Sequence, residues 1–394
     1  MARRIGALAT LACLGITGTA CSSSSGSGSG GSGDIKIMAI GVMQSSALSF
    51  PDMGAALQAN VDSINAAGGI NGRQLKLEKC NDKDDPNTAV DCARKAVSDK
   101  VVAVTEPYEP FSQQLLPFLQ AGHIPVVYGT LVSTADGTSP NSFPRDAGVP
   151  DKYAALALEL AKAGCKTVGA VVVSNPNNQL GATWIGRGAK AGGATFVQTS
   201  VSVDQADYAA PVAKLISQGA QCIIPDTNPD QGAKIVAAVQ QSGKTVKLGA
   251  LTAEFGASQL QALGSGAEGM LLIGQEFLPT DTNVPAVSEI VQGMAKYQPS
   301  VKLEDFAGIA GWAGISAIKQ VLQAVKGNVT AQSAQTAAAA ITLDTGLYDK
   351  VSFAQPGPFA EYPRVTNWGY LAWTVHGGKA VLRSPDFVDL PSGV

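Results

Sequence analysis

The chain has 394 residues, with 28 Lys and Arg against 31 Asp and Glu, a formal net charge of −3 and a charged fraction of only 15%. That balance, with no basic surface run, argues against a nucleic-acid partner. Its length points to two folded units rather than one core.

Arg3 and Arg4 precede an apolar run over residues 5–16, too short to span a bilayer permanently and matching the core of a signal peptide. The run ends in Thr17-Gly18-Thr19-Ala20-Cys21, which resembles the bacterial lipobox at which Cys21 is lipidated and becomes the mature N-terminus. Gly18 stands where Leu is commoner, and ordinary secretory cleavage in the same small-residue stretch is the alternative. Either route exports the chain, and loss of Arg3 and Arg4 takes the net charge from −3 to −5. Residues 22–33 are only Ser and Gly, a flexible tether whose ends would lie roughly 20 Å apart. A two-chain anchor on Cys21 would be the only attachment to the membrane, because no later stretch is apolar enough to cross it.

Residues 35–42 are almost continuously apolar, as a strand covered on both faces would be. A helix follows, with Asp52 as its cap, Leu57, Val61 and Ile64 on one face and Gly68-Gly69 at its end. Strands over 75–79, 101–105 and 124–128 alternate with helices over 87–98 and 112–121, which makes a parallel α/β unit. The rhythm restarts with a helix over 151–163 and a strand over 167–173. It continues through 181–191, 196–203, 207–218, 222–225, 230–242, 248–251 and 270–273. After Phe277 come helices over 285–297, 306–325 and 331–340, strand-like segments over 351–353 and 368–375, and a Gly377-Gly378 turn into 380–382. A chain that builds one unit, then a second, then returns must cross between them several times. Crossings near 145–149, 277–280 and 351–356 would form a hinge. The expected division is 1–20 signal peptide, 21–33 tether, 34–147 with 277–353 as lobe 1, and 148–276 with 354–394 as lobe 2.

Four cysteines remain beyond Cys13 and Cys21, an even number that favours disulfides in an exported chain. Cys80 ends the second strand and Cys92 lies about a turn and a half into the next helix, so these two are expected to pair, with two buried thiols as the alternative. Cys165 and Cys222 each open a strand of the second unit, the first and third, which are commonly neighbours in a doubly wound sheet. They are expected to pair as well.

Ile64-Asn65-Ala66-Ala67-Gly68-Gly69-Ile70-Asn71-Gly72-Arg73, followed by Leu75, Leu77, Asp82, Asp84, Asp85 and Pro86, resembles the signature of the leucine/isoleucine/valine-binding-protein family. Val203-Asp204 to Asp207-Tyr208, Ala267-Glu268-Gly269-Met270 and His376-Gly377-Gly378-Lys379 extend the similarity to about residues 35–382. The resemblance implies the type I periplasmic-binding-protein fold, α/β with two Rossmann-like lobes of parallel sheet joined by a multi-strand hinge that close on a ligand. It also implies an ABC permease as membrane partner, a monomeric receptor with no cofactor, and amino-acid-like, amide or aromatic solutes. The family's run of Ser and Thr for a ligand carboxylate is replaced here by Glu106-Pro107-Tyr108-Glu109-Pro110-Phe111-Ser112, and its gating tyrosine by Leu180. Glu254-Phe255 matches the family's ammonium acceptor approximately.

Ligands of doubly wound sheets sit at the carboxyl ends of strands. That rule selects Gln44 and Ser45, residues 108–112, 128–130, 175–180 and 226–228, and Glu254-Phe255, with Tyr108, Glu109, Phe111, Ser112, Tyr128, Thr130, Asn177, Gln179 and Asn228 as the candidates within the longer segments and Trp312 on the returning helix also near the cleft. Aromatic faces mixed with a few polar groups suit a small-molecule clamp. Glu109 near the carboxylate position would repel an acid, so an amine or amide is expected to matter more than a free carboxylate. Gly264-Ser265-Gly266-Ala267-Glu268-Gly269 fits a dinucleotide fingerprint as text, but a helix precedes it and a strand follows, the reverse of what pyrophosphate binding needs. His123 and His376 stand at element boundaries, and no P-loop, nucleophile elbow or zinc-spaced group is present. A transport receptor is therefore expected, with a sensor subunit of a membrane signalling system or a receptor for an aromatic compound as alternatives. An exported hydrolase using Glu109 and Glu254 is a third, minor one.

Overall fold

The computed structural model describes residues 33–46, 49–304 and 306–394. The expected signal peptide, Cys21 and the expected tether up to residue 32 lie outside the described residues.

The first unit runs β1 (Ile35–Gly41), α1 (Pro51–Ala66), β2 (Leu75–Asn81), α2 (Pro86–Ser98), β3 (Val104–Thr105), α3 (Ser112–Ala121), β4 (Val126–Val127), α4 (Thr134–Thr138) and β5 (Ser142–Phe143). Its sheet is parallel, in the order β2-β1-β3-β4-β5. The second unit runs α5 (Gly148–Lys162), β6 (Thr167–Val173), α6 (Pro176–Ala191), β7 (Thr195–Val201), α7 (Ala209–Ser217), β8 (Cys222–Asp226), α8 (Pro229–Gln241), β9 (Lys247–Leu251), α9 (Ala257–Leu263) and β10 (Leu271–Gly274). The chain then adds α10 (Pro285–Tyr297), α11 (Phe306–Ala324), α12 (Ala331–Ala340), β11 (Thr342–Leu343) and β12 (Val351–Ser352), whose helices α10 and α11 pack on α1 of the first unit. It ends with β13 (Gly369–His376), β14 (Lys379–Leu382) and β15 (Val388–Asp389), which return to the second sheet. That sheet is ordered β14-β13-β10-β9-β8-β6-β7, with β15 against β13. It is mixed rather than wholly parallel, since β13 runs antiparallel to β10, β14 and β15.

Strands buried on both faces need helices on both faces, and β1 is buried at every position but Lys36. The long helix α11 comes close because Gly308, Gly311 and Gly314 recur every three residues along it. A Cβ on Gly311 would lie 2.9 Å from the Met53 carbonyl oxygen of α1, and one on Gly314 would overlap the Thr105 hydroxyl of β3. Strand order reverses direction between β1 and β3 in one sheet and between β6 and β8 in the other, and a crevice opens at the carboxyl ends of strands where the order reverses.

Both expected disulfides are present. Cys80–Cys92 joins β2 to α2 with a Cα–Cα distance of 5.8 Å, and Cys165–Cys222 closes the entrance of the adjacent strands β6 and β8 at 6.1 Å. Asp52 does not cap α1. The helix starts one residue earlier, at Pro51, and buried Asp52 accepts from the Glu304 backbone N–H at 3.1 Å. The loop expected before Gly181 is the first turn of α6, because Asn175 caps the helix through the Asn178 N–H at 2.9 Å and Pro176 suits its opening position. The Gly-rich stretch 264–269 opens as a 3₁₀ turn (Gly264–Ala267) between α9 and β10, not as a nucleotide loop.

Candidate functional site

The chain passes between the two units three times, through residues 144–147, 275–284 and 353–368. These passages are laced together by buried polar groups. Arg145 donates to the carbonyls of Tyr128 (2.9 Å) and Pro107 (3.0 Å), lies 3.1 Å from Asp146 and stacks 5.0 Å from the Tyr348 ring centre. Asn367 donates to the Arg145 carbonyl at 2.8 Å, which ties the third passage to the first. Gln275 donates to Asp151 at 2.8 Å, which ties the second to the start of α5. The facing atoms of the buried pair, Arg145 Nε and Asp146 Oδ2, meet as an ion pair without an aligned hydrogen bond, so the other guanidinium nitrogens, bonded to the two carbonyls, hold Arg145 in place.

On the first sheet, Asn81 at the end of β2 organises the loop after β1. Its Oδ1 accepts from the N–H groups of Met43 (3.0 Å), Gln44 (3.2 Å) and Lys83 (3.2 Å), and its Nδ2 donates to the Gln44 carbonyl at 2.8 Å. That loop bridges back through Gln44 and Ser49 and delivers Phe50. There Phe50, Tyr108 and Phe306 meet edge to face, with ring centres 5.5 to 6.2 Å apart, and all three are half-buried. Such edge-on contacts are favoured by the ring quadrupoles and leave an apolar platform. Gly41 makes this possible, since a Cβ there would overlap the Tyr108 carbonyl oxygen, which instead accepts the Val42 N–H at 3.1 Å.

The first unit also holds a set of buried acids, Asp82, Glu106, Glu109 and Asp136. Glu109 accepts the Phe111 N–H at the start of α3 at 2.7 Å, and Ser112 donates to Glu106 (3.2 Å) and to the Glu109 carbonyl (3.0 Å). Burial, hydrogen bonding to Asp82 and the like charge of Glu106 push Glu109 up to about 11. Burial and the like charge of Asp136 raise Glu106 well above the usual carboxylate range, and burial lifts Asp136 to about 6. Glu109 is thus protonated at neutral pH and Glu106 is driven toward its protonated form, while Asp136 at about 6 is mostly ionised.

The second sheet presents a smaller acidic group. Tyr153 on α5 donates to Glu254 at 2.7 Å, and the other Glu254 oxygen accepts the Leu251 N–H at 3.1 Å. Beside this pair lies Asp226, whose carbonyl and Oδ1 take both donations of the Asn178 amide. Burial, against these hydrogen bonds, carries Glu254 to about 8 and Asp226 to about 7.

The expected residues therefore divide. Gln44 and Ser45 follow β1 and Tyr108 follows its neighbour β3, whose loop is joined to the first by the Val42 N–H on the Tyr108 carbonyl, and Glu109 is buried. Glu254 faces Asp226 and Tyr153, while Asn228 caps α8 through the Gln231 N–H at 2.9 Å. Ser112 is engaged by the acids, and Thr130 by Asp146. Phe111 joins the α2–α3 core. Tyr128 is fully buried, bonded to Thr345 at 2.9 Å. Phe255 packs on Gly232, and Trp312 fills the space over Gly293 between α10 and α11. These last four are core residues. Gln179 lines a cavity of about 360 Å³ with Thr183, Gly186, Phe196 and Gln198 on the flank of the second unit. The Asn177 side chain lies outside the described residues. Asn178 and Asp226 lie within the strand-end segments 175–180 and 226–228, whereas Phe50, Phe306, Asn81 and Tyr153 were not expected. Asp226 ends β8 and follows from the strand-end rule. Phe306 and Tyr153 carry no such signal, because their partners lie more than a hundred residues away.

Among the described residues no group of His, Cys, Asp and Glu is arranged to hold a metal ion, and no helix is long and apolar enough to cross a membrane. Comparison with curated proteins finds no match. In solved structures the fold recurs widely. The extracellular ligand-binding receptor of Verminephrobacter eiseniae ef01-2 superposes with a TM-score of 0.75 at 18% identity, over 88% of this chain and 99% of its own. A fatty acid ABC transporter substrate-binding protein from Thermomonospora curvata gives 0.76 at 15% identity, over 92% and 94%. An R. palustris ABC transporter solute-binding protein in complex with benzoate gives 0.70 at 15%, over 91% and 99%. The family model for periplasmic binding proteins matches residues 34–365. With that match over most of its length and the two-lobed fold of the leucine/isoleucine/valine-binding type, the chain belongs to the periplasmic binding protein family.

Proposed function

We propose that this protein is the lipid-anchored solute receptor of an ABC importer and captures a small organic solute, amino-acid-like, amide or amine, between its lobes. The family supplies the coarser part, an extracytoplasmic binding protein, not an enzyme, that serves a membrane transporter. The observation that carries the finer part is the platform of Phe50, Tyr108 and Phe306 at the strand ends of one sheet, with a polar group of Asn178, Asn228 and Glu254 at the strand ends of the other. An apolar wall with a few fixed polar groups is what small-molecule sites share. The aromatic platform also supports the second reading, a receptor for an aromatic compound, and the structural relatives described with fatty acid and benzoate likewise take apolar bodies.

In this proposal lobe 1 comprises 34–147 with 277–353 and lobe 2 comprises 148–276 with 354–394. Cys21 and the Ser/Gly tether hold a monomer at the outer face of the cytoplasmic membrane, beside the permease. Closure follows when a solute bridges the lobes and shifts the population toward the closed form. The test is a thermal-shift screen against amino acids, amides, amines, aromatic acids and sugars, because a solute that binds only the native state raises the melting temperature. Each hit is repeated with Phe306→Ala, which should weaken binding by about tenfold or more for loss of a ring contact. Hits that bind the variant with unchanged affinity would remove the platform from the site.

A further inference from the structure

Anions bind where backbone N–H groups are unsatisfied, above all at helix N-termini. In a doubly wound fold, these termini point into the crevice. Here the helices of eight residues or more that follow a strand of their own sheet all carry an acceptor or acid of the chain itself at that end. Asp52 lies in the first turn of α1, and Asp85 accepts the Thr88 N–H of α2 at 2.8 Å. Glu109 holds the Phe111 N–H before α3, and Asn175 caps α6. Asp207 accepts the Ala209 N–H of α7 at 2.9 Å, and Asn228 caps α8.

The titratable side chains behind the cleft surfaces have the same character. Asp82, Glu106, Glu109 and Asp136 in one lobe, and Asp226 and Glu254 in the other, form no ion pair with Lys or Arg among the described residues. Lys83, in the turn after β2, is an exposed cation on that rim. Arg145 is buried and committed to Tyr128, Pro107 and Asp146. A carboxylate entering the cleft would meet filled helix ends and further acid groups in a partly desolvated space. An ammonium group would meet carboxyl acceptors and the three-ring platform, whose faces attract cations.

Given the cleft as the solute site, on which this assignment rests, we infer that the solute is an organic amine with an apolar body and no carboxylate. The platform receives the body, and the acid groups favour the ammonium. Glu109 acts as the excluding group, since it occupies the helix end that a ligand carboxylate would need.

The test uses two matched sets that differ only in head group. One is 2-phenylethylamine, phenylalanine and 3-phenylpropanoate, and the other is 3-methylbutylamine, leucine and 4-methylpentanoate. Each is titrated calorimetrically into the full chain at neutral pH. In at least one set the amine should bind about tenfold or more tightly than its amino acid and its acid. In Glu109→Ala, which frees the Phe111 N–H, the preference for the amine over the amino acid should shrink by about tenfold, whereas Glu109→Gln, which keeps an acceptor for that N–H, should retain it. An amino acid or acid that binds as tightly as its amine overturns the charge assignment and leaves the cleft site standing. An unchanged preference in Glu109→Ala overturns the role given to that residue. Failure of all six probes overturns the inference, and if the wider solute screen also finds nothing, the cleft site falls with it.

Discussion

Replacing Glu254 by Gln should turn a pH-sensitive buried acid into a pH-insensitive amide, and the size of the effect follows from its surroundings. Glu254 is buried, accepts from Tyr153 and Leu251, and sits at about 8 instead of its ordinary 4.5 because burial penalises its charged form. Between those values the folded protein holds a proton that the unfolded chain has released. The associated stability is therefore fully present below pH 4.5 and lost as pH rises toward 8. At about 1.4 kcal/mol per pH unit, the loss between pH 5 and pH 8 comes to about 3 kcal/mol. The amide variant would carry no such loss. Its side chain must present one oxygen to Leu251 and its NH₂ to the Tyr153 oxygen, an exchange that costs about 1 kcal/mol. Glu254→Gln should thus be slightly less stable than wild type at pH 5 and more stable at pH 8. Urea denaturation of both proteins at pH 5, 6, 7 and 8 measures the difference. A gap constant to within about 0.5 kcal/mol across that range would refute the burial argument.

Gly41→Ala should destabilise the protein by about 1–3 kcal/mol, through overlap of its Cβ with the Tyr108 carbonyl, and should broaden the aromatic signals of the platform; thermal melting and near-ultraviolet dichroism report both. Asn81→Ala removes four hydrogen bonds that shape the loop from Met43 to Phe50, so solute affinity should fall about tenfold or more while the melting temperature changes only modestly. Replacing Cys165 and Cys222 together by Ser opens a loop of sequence separation 57 and should cost about 4 kcal/mol, against about 3 for Cys80 and Cys92 with separation 12. Denaturant midpoints of the two double variants would show the reverse order if loop entropy were not the controlling factor.

Elements were most legible where burial on two faces and helix punctuation act locally. The ends of α3, α10, α12 and β6 coincide with those expected, and the Cys165–Cys222 pair followed from strand adjacency alone. The site was less legible, because the strand-end rule locates backbone, not the direction of a side chain. Tyr128 and Phe255 occupy strand ends yet turn into the cores, and Trp312 was taken by Gly293, a small residue opposite it. The platform depends on three rings 58 to 256 residues apart, which only the folded sheet brings together. Asn81 was hidden for a different reason, since one amide at a strand end looks like any turn residue until its four partners are in place.

The central claim is that a solute bridges two lobes and closes them about the passages at 144–147, 275–284 and 353–368. Small-angle scattering of the purified chain, with and without a saturating solute from the screen, tests it most directly. The radius of gyration should fall on binding, by an amount that reverses when the solute is dialysed away. A radius unchanged at a solute concentration where calorimetry shows the site filled would contradict closure.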